Sequence, residues 1–215
     1  MNARAAARRI ALCCRQLAAR GLVAGQDGNI SVRMAPQRIL VTPSGLLKGL
    51  VTAADMVVVD ARGRKVAGRR NPTSELDLHL RILRLRPDVG AVVHAHPPTA
   101  TGFALAGEGF DSNTLTELIF QVGRVPLVPY GTPGTPELGD RVEPFLDGHD
   151  ALLLAHHGAV TMGSTLDAAW IRMESLEHAA RMLFVARTLG RVMELDAAAV
   201  AALLAQRPAP RKNDA

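Results

Sequence analysis

Three histidines carry the strongest chemical signal in the chain. His94 and His96 stand two apart in VVHAH, and His157 closes ALLLAHH just before Gly158. Residues two apart on a strand leave the same face, so His94 and His96 can aim two imidazoles at one point. Neighbouring strands lie ~4.8 Å apart, which lets a third imidazole from another strand end join them at bond lengths of ~2.1 Å. Three nitrogen ligands with one position open is the pattern of a catalytic divalent-metal site rather than a closed structural one. The plainer alternative is polar residues at strand ends that only hydrogen-bond. An HxH pair together with a distant HHG, each after an apolar strand, favours the metal. His156 and His157 are neighbours on an expected strand, so they should face opposite ways and only one can readily join. His79, His149 and His178 have no partner spacing and read as surface or helix-packing histidines.

Small polar turns supply the second signal. Thr73-Ser74-Glu75 lies at an expected helix start, where hydroxyls and free N–H groups suit an anion such as phosphate. A plain helix cap is the alternative there, with Ser74 and Asp77 in capping-box-like spacing. Gly28-Asn29 and Ser44-Gly45 are two more turns that expose N–H groups. The three lysines, Lys48, Lys65 and Lys212, lack the apolar setting that would tune one for a Schiff base. Lys48 reads as a solvated loop lysine.

The elements that must hold these residues alternate. Apolar spacing predicts a helix over 2–20, closed by Gly21. Strands are expected at 38–42, 56–60, 89–96, 125–130 and 151–156, with a short one from GNISVR and a hairpin turn at 61–64. Helices are expected from about 74 to 86, 98 to 106, 136 to 145 and 168 to 189, with a short Ala-rich helix near the end. Hairpins interspersed with helices imply one α/β/α layered domain on a central, largely antiparallel mixed sheet. That domain spans residues 1–207, with a polar, disordered tail at 208–215. No G-x-G-x-x-G fingerprint is present, so no dinucleotide site is expected.

Composition narrows the function classes. The chain has 215 residues, 48% hydrophobic and 21% charged, enough for one sizeable core and too apolar for wholesale disorder. Net charge is +5, but basic residues are scattered and aromatics are 3%, which argues against nucleic acid. No run approaches the ~20 apolar residues of a membrane span, and no secretory signal is evident. Cys13 and Cys14 are adjacent and read as core or half-buried thiols, with no disulfide framework. A cytoplasmic location follows.

The blocks GNISVR (28–33), VTPSGLLKG (41–49), PTSELDLHLRILRLRPDVGAVVHAHPPTATGFA (72–104), VPYGTPGTPEL (128–138) and LLLAHHGAVTMGSTLDAAW (152–170) resemble, in order, the class II aldolase/adducin family. The resemblance implies one divalent ion per chain on His94, His96 and His157, foremost Zn2+, with Mn2+, Co2+ or Fe2+ as alternatives. It implies Glu75 as the acid/base residue and a substrate phosphate held by Gly28, Asn29, Ser44, Gly45, Thr73 and Ser74. It also implies a homotetramer with sites between subunits. The reaction implied is cleavage of a phosphorylated ketose to dihydroxyacetone phosphate and an aldehyde through a metal-stabilised enediolate. Phosphopentulose 4-epimerase, methylthioribulose-1-phosphate dehydratase, phosphorylated oxo-acid decarboxylase and an adducin-like scaffold are the alternatives. The family's aldolases of known mechanism draw a donor tyrosine from the segment matching 112–116, which reads SNTLT here. Glu117 could replace it, although an ordinary helix carboxylate is the simpler reading, and Tyr130 reads as structural.

Overall fold

A computed structural model describes residues 2–110 and 113–206. The expected tail at 208–215 lies outside them. One eight-stranded sheet runs through the molecule in the order β4-β3-β2-β1-β5-β8-β7-β6. Its strands are β1 (Asn29–Ala35), β2 (Arg38–Val41), β3 (Val57–Val59), β4 (Lys65–Ala67), β5 (Ala91–Ala95), β6 (Leu127–Val128), β7 (Ala151–Leu154) and β8 (Gly158–Gly163). Every pairing is antiparallel except β6 with β7. The expected α/β architecture with a largely antiparallel mixed sheet is therefore the observed one.

Alternation along the strands explains the layers. Ala91, Val93 and Ala95 of β5 join one apolar core, with Ile10, Phe103 and Met173. Val92 points the other way into a second core, with Leu78, Ile82 and Leu138. The first core is covered by α1 (Ala3–Ala19), α3 (Pro98–Leu105) and α6 (Leu166–Leu189); α2 (Leu76–Leu85) and α5 (Pro136–Val142) cover the second. A strand buried on both faces has no polar side to mark it, and β5 reads as such a run. Each fully buried aliphatic side chain contributes roughly 1.5–3 kcal/mol. This packing fixes β5 in the sheet and therefore fixes His94.

Several local expectations need correction. GAVTMG forms strand β8, which small residues and glycines concealed. Thr116–Gln121 forms a short helix, α4, that the spacing does not announce, whereas Ala197–Ala205 is the expected Ala-rich helix, α7. The Ser74–Asp77 capping box does not form: α2 has Glu75 at its N-cap position, with no side-chain cap bond. The Glu75 side chain is turned into the site instead.

Candidate active site

Each limb of the site is positioned by its element. His94 lies in β5 opposite Asn29 of β1 on one side and Val160 of β8 on the other. His96 follows β5, where its backbone N–H donates to Leu22 O. His157 sits in the tight reversal between β7 and β8. The His156 backbone there is left-handed, with φ 58°, so a backbone reversal, rather than strand alternation, separates the two rings. His156 is exposed and faces Tyr130, which is itself half exposed rather than packed inside.

Two glycines clear the way for these limbs. A Cβ on Gly28 would fall 2.8 Å from the His94 carbonyl oxygen, and φ there is +75°. A Cβ on Gly158 would fall 2.6 Å from both the Ala95 carbonyl oxygen and His96 Cδ2. Neither position has room for a side chain.

The three imidazoles meet. One ligand atom from each of His94, His96 and His157 lies within 4.8 Å of the others. His94 Nε2 and His96 Nε2 are 3.1 Å apart. The His94 Nδ1–H donates to Ala159 O at 2.9 Å, which aims Nε2 inward. Asp27 Oδ2 lies 3.5 Å from His96 Nδ1. Glu75 enters from α2, with Oε2 3.2 Å from His94 Nε2 and Oε1 3.3 Å from His157 Nε2. The Asn29 amide donates to Glu75 Oε2 at 2.7 Å.

Electrostatics agree with a cation site. Burial opposes ionisation of Glu75, yet His94, the Asn29 amide and His157 outweigh it and hold the carboxyl well below its usual range. Burial also pulls His94 down, but Glu75 overrides it and the net shift is upward. Burial and repulsion from His94 push His157 down to about 4 and lower His96. Two buried atoms here, Glu75 Oε1 and His157 Nδ1, have no hydrogen-bond partner. Convergent imidazoles with orphaned polar atoms are costly in an empty interior. A divalent ion fits this donor set, and three nitrogens suit zinc and its first-row neighbours.

The predicted anion turns share this space. Gly28, Asn29, Ser44, Gly45, Thr73 and Ser74 line one cavity of about 300 Å³ together with Glu75, His96 and His157, while His94 is fully buried behind it. Asn29 departs from expectation in one respect, because its side-chain amide is committed to Glu75. Lys48 is not solvated: it is 4% exposed, and its Nζ donates to Gln26 O at 2.6 Å, tying the 26–28 turn to the 44–48 turn. Burial lowers its pKa. Of the two readings of His79, surface or helix-packing, the second holds: the ring is wholly enclosed beside the site. Glu117 is an exposed carboxylate bonded to its neighbour Thr116, the ordinary reading. A larger hollow of about 560 Å³ lies between α6 and the segment that follows α1, but its acidic groups Glu174 and Glu177 are already paired with Arg20 and Arg181.

The Glu177 carboxylate, 3% exposed, closes the start of α3. It accepts from Thr99 N, Thr99 Oγ1 and Ala100 N at 2.8–3.2 Å. Because α3 begins at Pro98, directly after the HAHP segment, this distant residue caps the helix that follows His96.

Comparison with known proteins points one way. Residues 8–184 match the family described as Class II Aldolase and Adducin N-terminal domain. A 5-methylthioribulose-1-phosphate/5-deoxyribulose-1-phosphate aldolase from Rhodospirillum rubrum is 40% identical over 155 residues, covering 72% of this chain and 69% of that one. A 3-oxo-tetronate 4-phosphate decarboxylase from Pectobacterium atrosepticum is 34% identical over 171 residues, covering 77% and 78%. The solved structure of an L-fuculose 1-phosphate aldolase superposes with a TM-score of 0.86 at 29% identity, covering 93% and 94%.

Proposed function

We propose that this chain, which belongs to the class II aldolase and adducin family, is a divalent-metal lyase that cleaves a phosphorylated ketose to dihydroxyacetone phosphate and an aldehyde. The observation that carries the reading is the convergence of three imidazoles, a carboxylate and three N–H-rich turns on one cavity. His94, His96 and His157 would hold the ion, and when bound it supplies a Lewis acid for the ketose carbonyl.

The protein's own groups do the rest. The turns at Gly28-Asn29, Ser44-Gly45 and Thr73-Ser74 hold the phosphate and set the distance to the reacting carbons. The C3–C4 bond breaks as the C4 hydroxyl gives up its proton and becomes the aldehyde carbonyl. C3 takes up a proton, so the two products together contain every atom of the substrate. Glu75, ionised and with Oε1 unpartnered, is suited to take up the C4 hydroxyl proton and return it to C3. The assembly proposed is a homotetramer with sites at subunit interfaces.

One observation favours a second reading, decarboxylation of a phosphorylated oxo-acid. The 112–116 segment, SNTLT, has no tyrosine to serve an aldehyde oxygen, and loss of carbon dioxide requires a proton only at carbon. A relative named for that reaction is 34% identical. The deciding experiment incubates the metal-loaded protein with L-fuculose, L-rhamnulose, 5-deoxyribulose and methylthioribulose 1-phosphates. Glycerol-3-phosphate dehydrogenase and NADH report any dihydroxyacetone phosphate released. NADH loss with one of them supports the lyase. No loss with metal bound, but carbon dioxide from 3-oxo-tetronate 4-phosphate, replaces it with the decarboxylase.

A further inference from the structure

His79 has no part in the chemistry above, yet it is wired to it. The ring is completely buried in α2, one helical turn after Glu75. Its Nδ1 lies 2.7 Å from Ser31 Oγ and its Nε2 2.5 Å from Asn29 Oδ1. The Asn29 Nδ2 then reaches Glu75 Oε2 at 2.7 Å. Ser31 and Asn29 stand two apart on β1, so they leave the same face and bracket the imidazole. Side chains four apart on a helix are neighbours, so His79 and Glu75 line the same side of α2.

Only one arrangement of hydrogens satisfies this chain. An ionised carboxylate only accepts, so Asn29 donates through Nδ2 and must present Oδ1 to His79. A carbonyl oxygen also only accepts, so the His79 proton is on Nε2. Burial, aided by repulsion from His94, pushes the His79 pKa down to about 3 and keeps the ring neutral. Its Nδ1 is therefore a lone pair, and the Ser31 hydroxyl donates to it. Donation runs from Ser31 to His79, from His79 to Asn29 and from Asn29 to the accepting Glu75.

We propose that His79 is a positioning residue that fixes the orientation of the Asn29 amide, and thereby ties down Glu75 Oε2 while leaving Oε1 as the oxygen that carries the proton. Glu75 demands an N–H from one end of the Asn29 amide and the His79 proton holds the other end, so without His79 the amide is held from one side only. A turned amide would place Oδ1 against the carboxylate. The consequence for turnover rests on the proposed role of Glu75. The direction of the relay does not.

The test combines 15N-histidine NMR of the metal-loaded protein with two variants. His79→Leu keeps the volume and removes the donor. His79→Gln keeps an N–H near the position of Nε2. In the native protein, His79 should show the neutral Nε2–H tautomer throughout pH 5.5 to 8.5. The Asn29 side-chain amide signals should move in His79→Leu and return towards native in His79→Gln. Metal content should be unchanged in both. With an active substrate, His79→Leu should lower kcat about 10- to 100-fold, the range for losing a hydrogen bond to a charged group, with KM changed about 2-fold or less. His79→Gln should recover most of it, and His79→Leu should cost nothing further in an Asn29→Ala background. An Nδ1–H tautomer or an imidazolium overturns the inference even if no turnover is found with any substrate. Native kcat in His79→Leu, or an undiminished loss in the Asn29→Ala background, also overturns it. Should His79→Leu fail to fold, the native tautomer and His79→Gln decide the matter.

Discussion

Glu75 and His157, 82 positions apart in the chain, meet at 3.3 Å between Oε1 and Nε2, and Oε1 accepts no hydrogen bond. The contact brings the start of α2 against the β7–β8 reversal, and it places an unpartnered carboxylate oxygen beside three imidazoles.

Metal binding is the first expectation. The protein should hold about one divalent ion per chain, measured by elemental analysis. His94→Ala should lose it, because that ring is aimed inward by its bond to Ala159 O. His156→Ala should retain it, since His156 faces Tyr130. Full metal in a His94→Ala, His96→Ala double variant would sink the assignment.

Glu75→Gln should keep the metal and lose about 10²–10⁴-fold in kcat, because an amide cannot take the substrate's proton. Circular dichroism and metal content would show that the variant is folded and loaded. Turnover near the native rate would remove Glu75 from the mechanism.

Inorganic phosphate should compete with substrate if the three turns form one anion site. Ser74→Ala should raise KM more than it lowers kcat, because the lost contact serves ground and transition states alike. The measurement is a set of initial rates at several phosphate concentrations. Equal turnover of phosphorylated and unphosphorylated ketoses contradicts the idea.

Glu177→Ala should destabilise the fold by about 3 kcal/mol, since it strands a buried N–H, a half-buried N–H and a half-buried hydroxyl at the start of α3. Glu177→Gln, which keeps a carbonyl acceptor, should lose less. Urea denaturation of both variants checks the order; equal losses would mean that the cap is not the source.

Alkaline pH should weaken the fold through the two buried thiols. Burial pushes Cys14 up to about 12, and burial with its neighbour Cys14 pushes Cys13 higher still. An unfolded thiol ionises near pH 8.5. Above that pH the unfolded chain has released protons that the folded chain retains, so stability falls as pH rises. The slope is at most about 1.4 kcal/mol per pH unit for each thiol. Urea titrations at pH 8 and pH 10 should show a smaller drop in Cys14→Ala than in the native protein.

The parts of this site that were readable from sequence are the ones with local patterns. HAH on an apolar strand, HHG after another, and a PTSE turn each announce themselves within a few residues. The parts that local spacing leaves open or hides depend on distant partners. His79 appears unremarkable in α2 until β1 brings Asn29 and Ser31 to its two nitrogens. Lys48 looks solvated until the 26–28 turn folds over it. Strand β8 is hidden in the sequence because Gly158 and Gly163 are small where they must admit the His96 ring and the α6 backbone. Ser74 resembled a helix cap because spacing cannot reveal that the next residue is needed by the site.

The position of His94 has a kinetic corollary. It sits on a strand flanked on both sides, opposite Asn29 and Val160, with no exposed side-chain surface. Central strands of this kind exchange their amide protons only when the whole domain opens. The His96 side chain, by contrast, is 27% exposed. An ion at the three histidines would therefore enter and escape past His96, so its residence time would be set at that rim and not by breathing of the sheet. Chelator-driven release should then be fast compared with hydrogen exchange at the His94 amide.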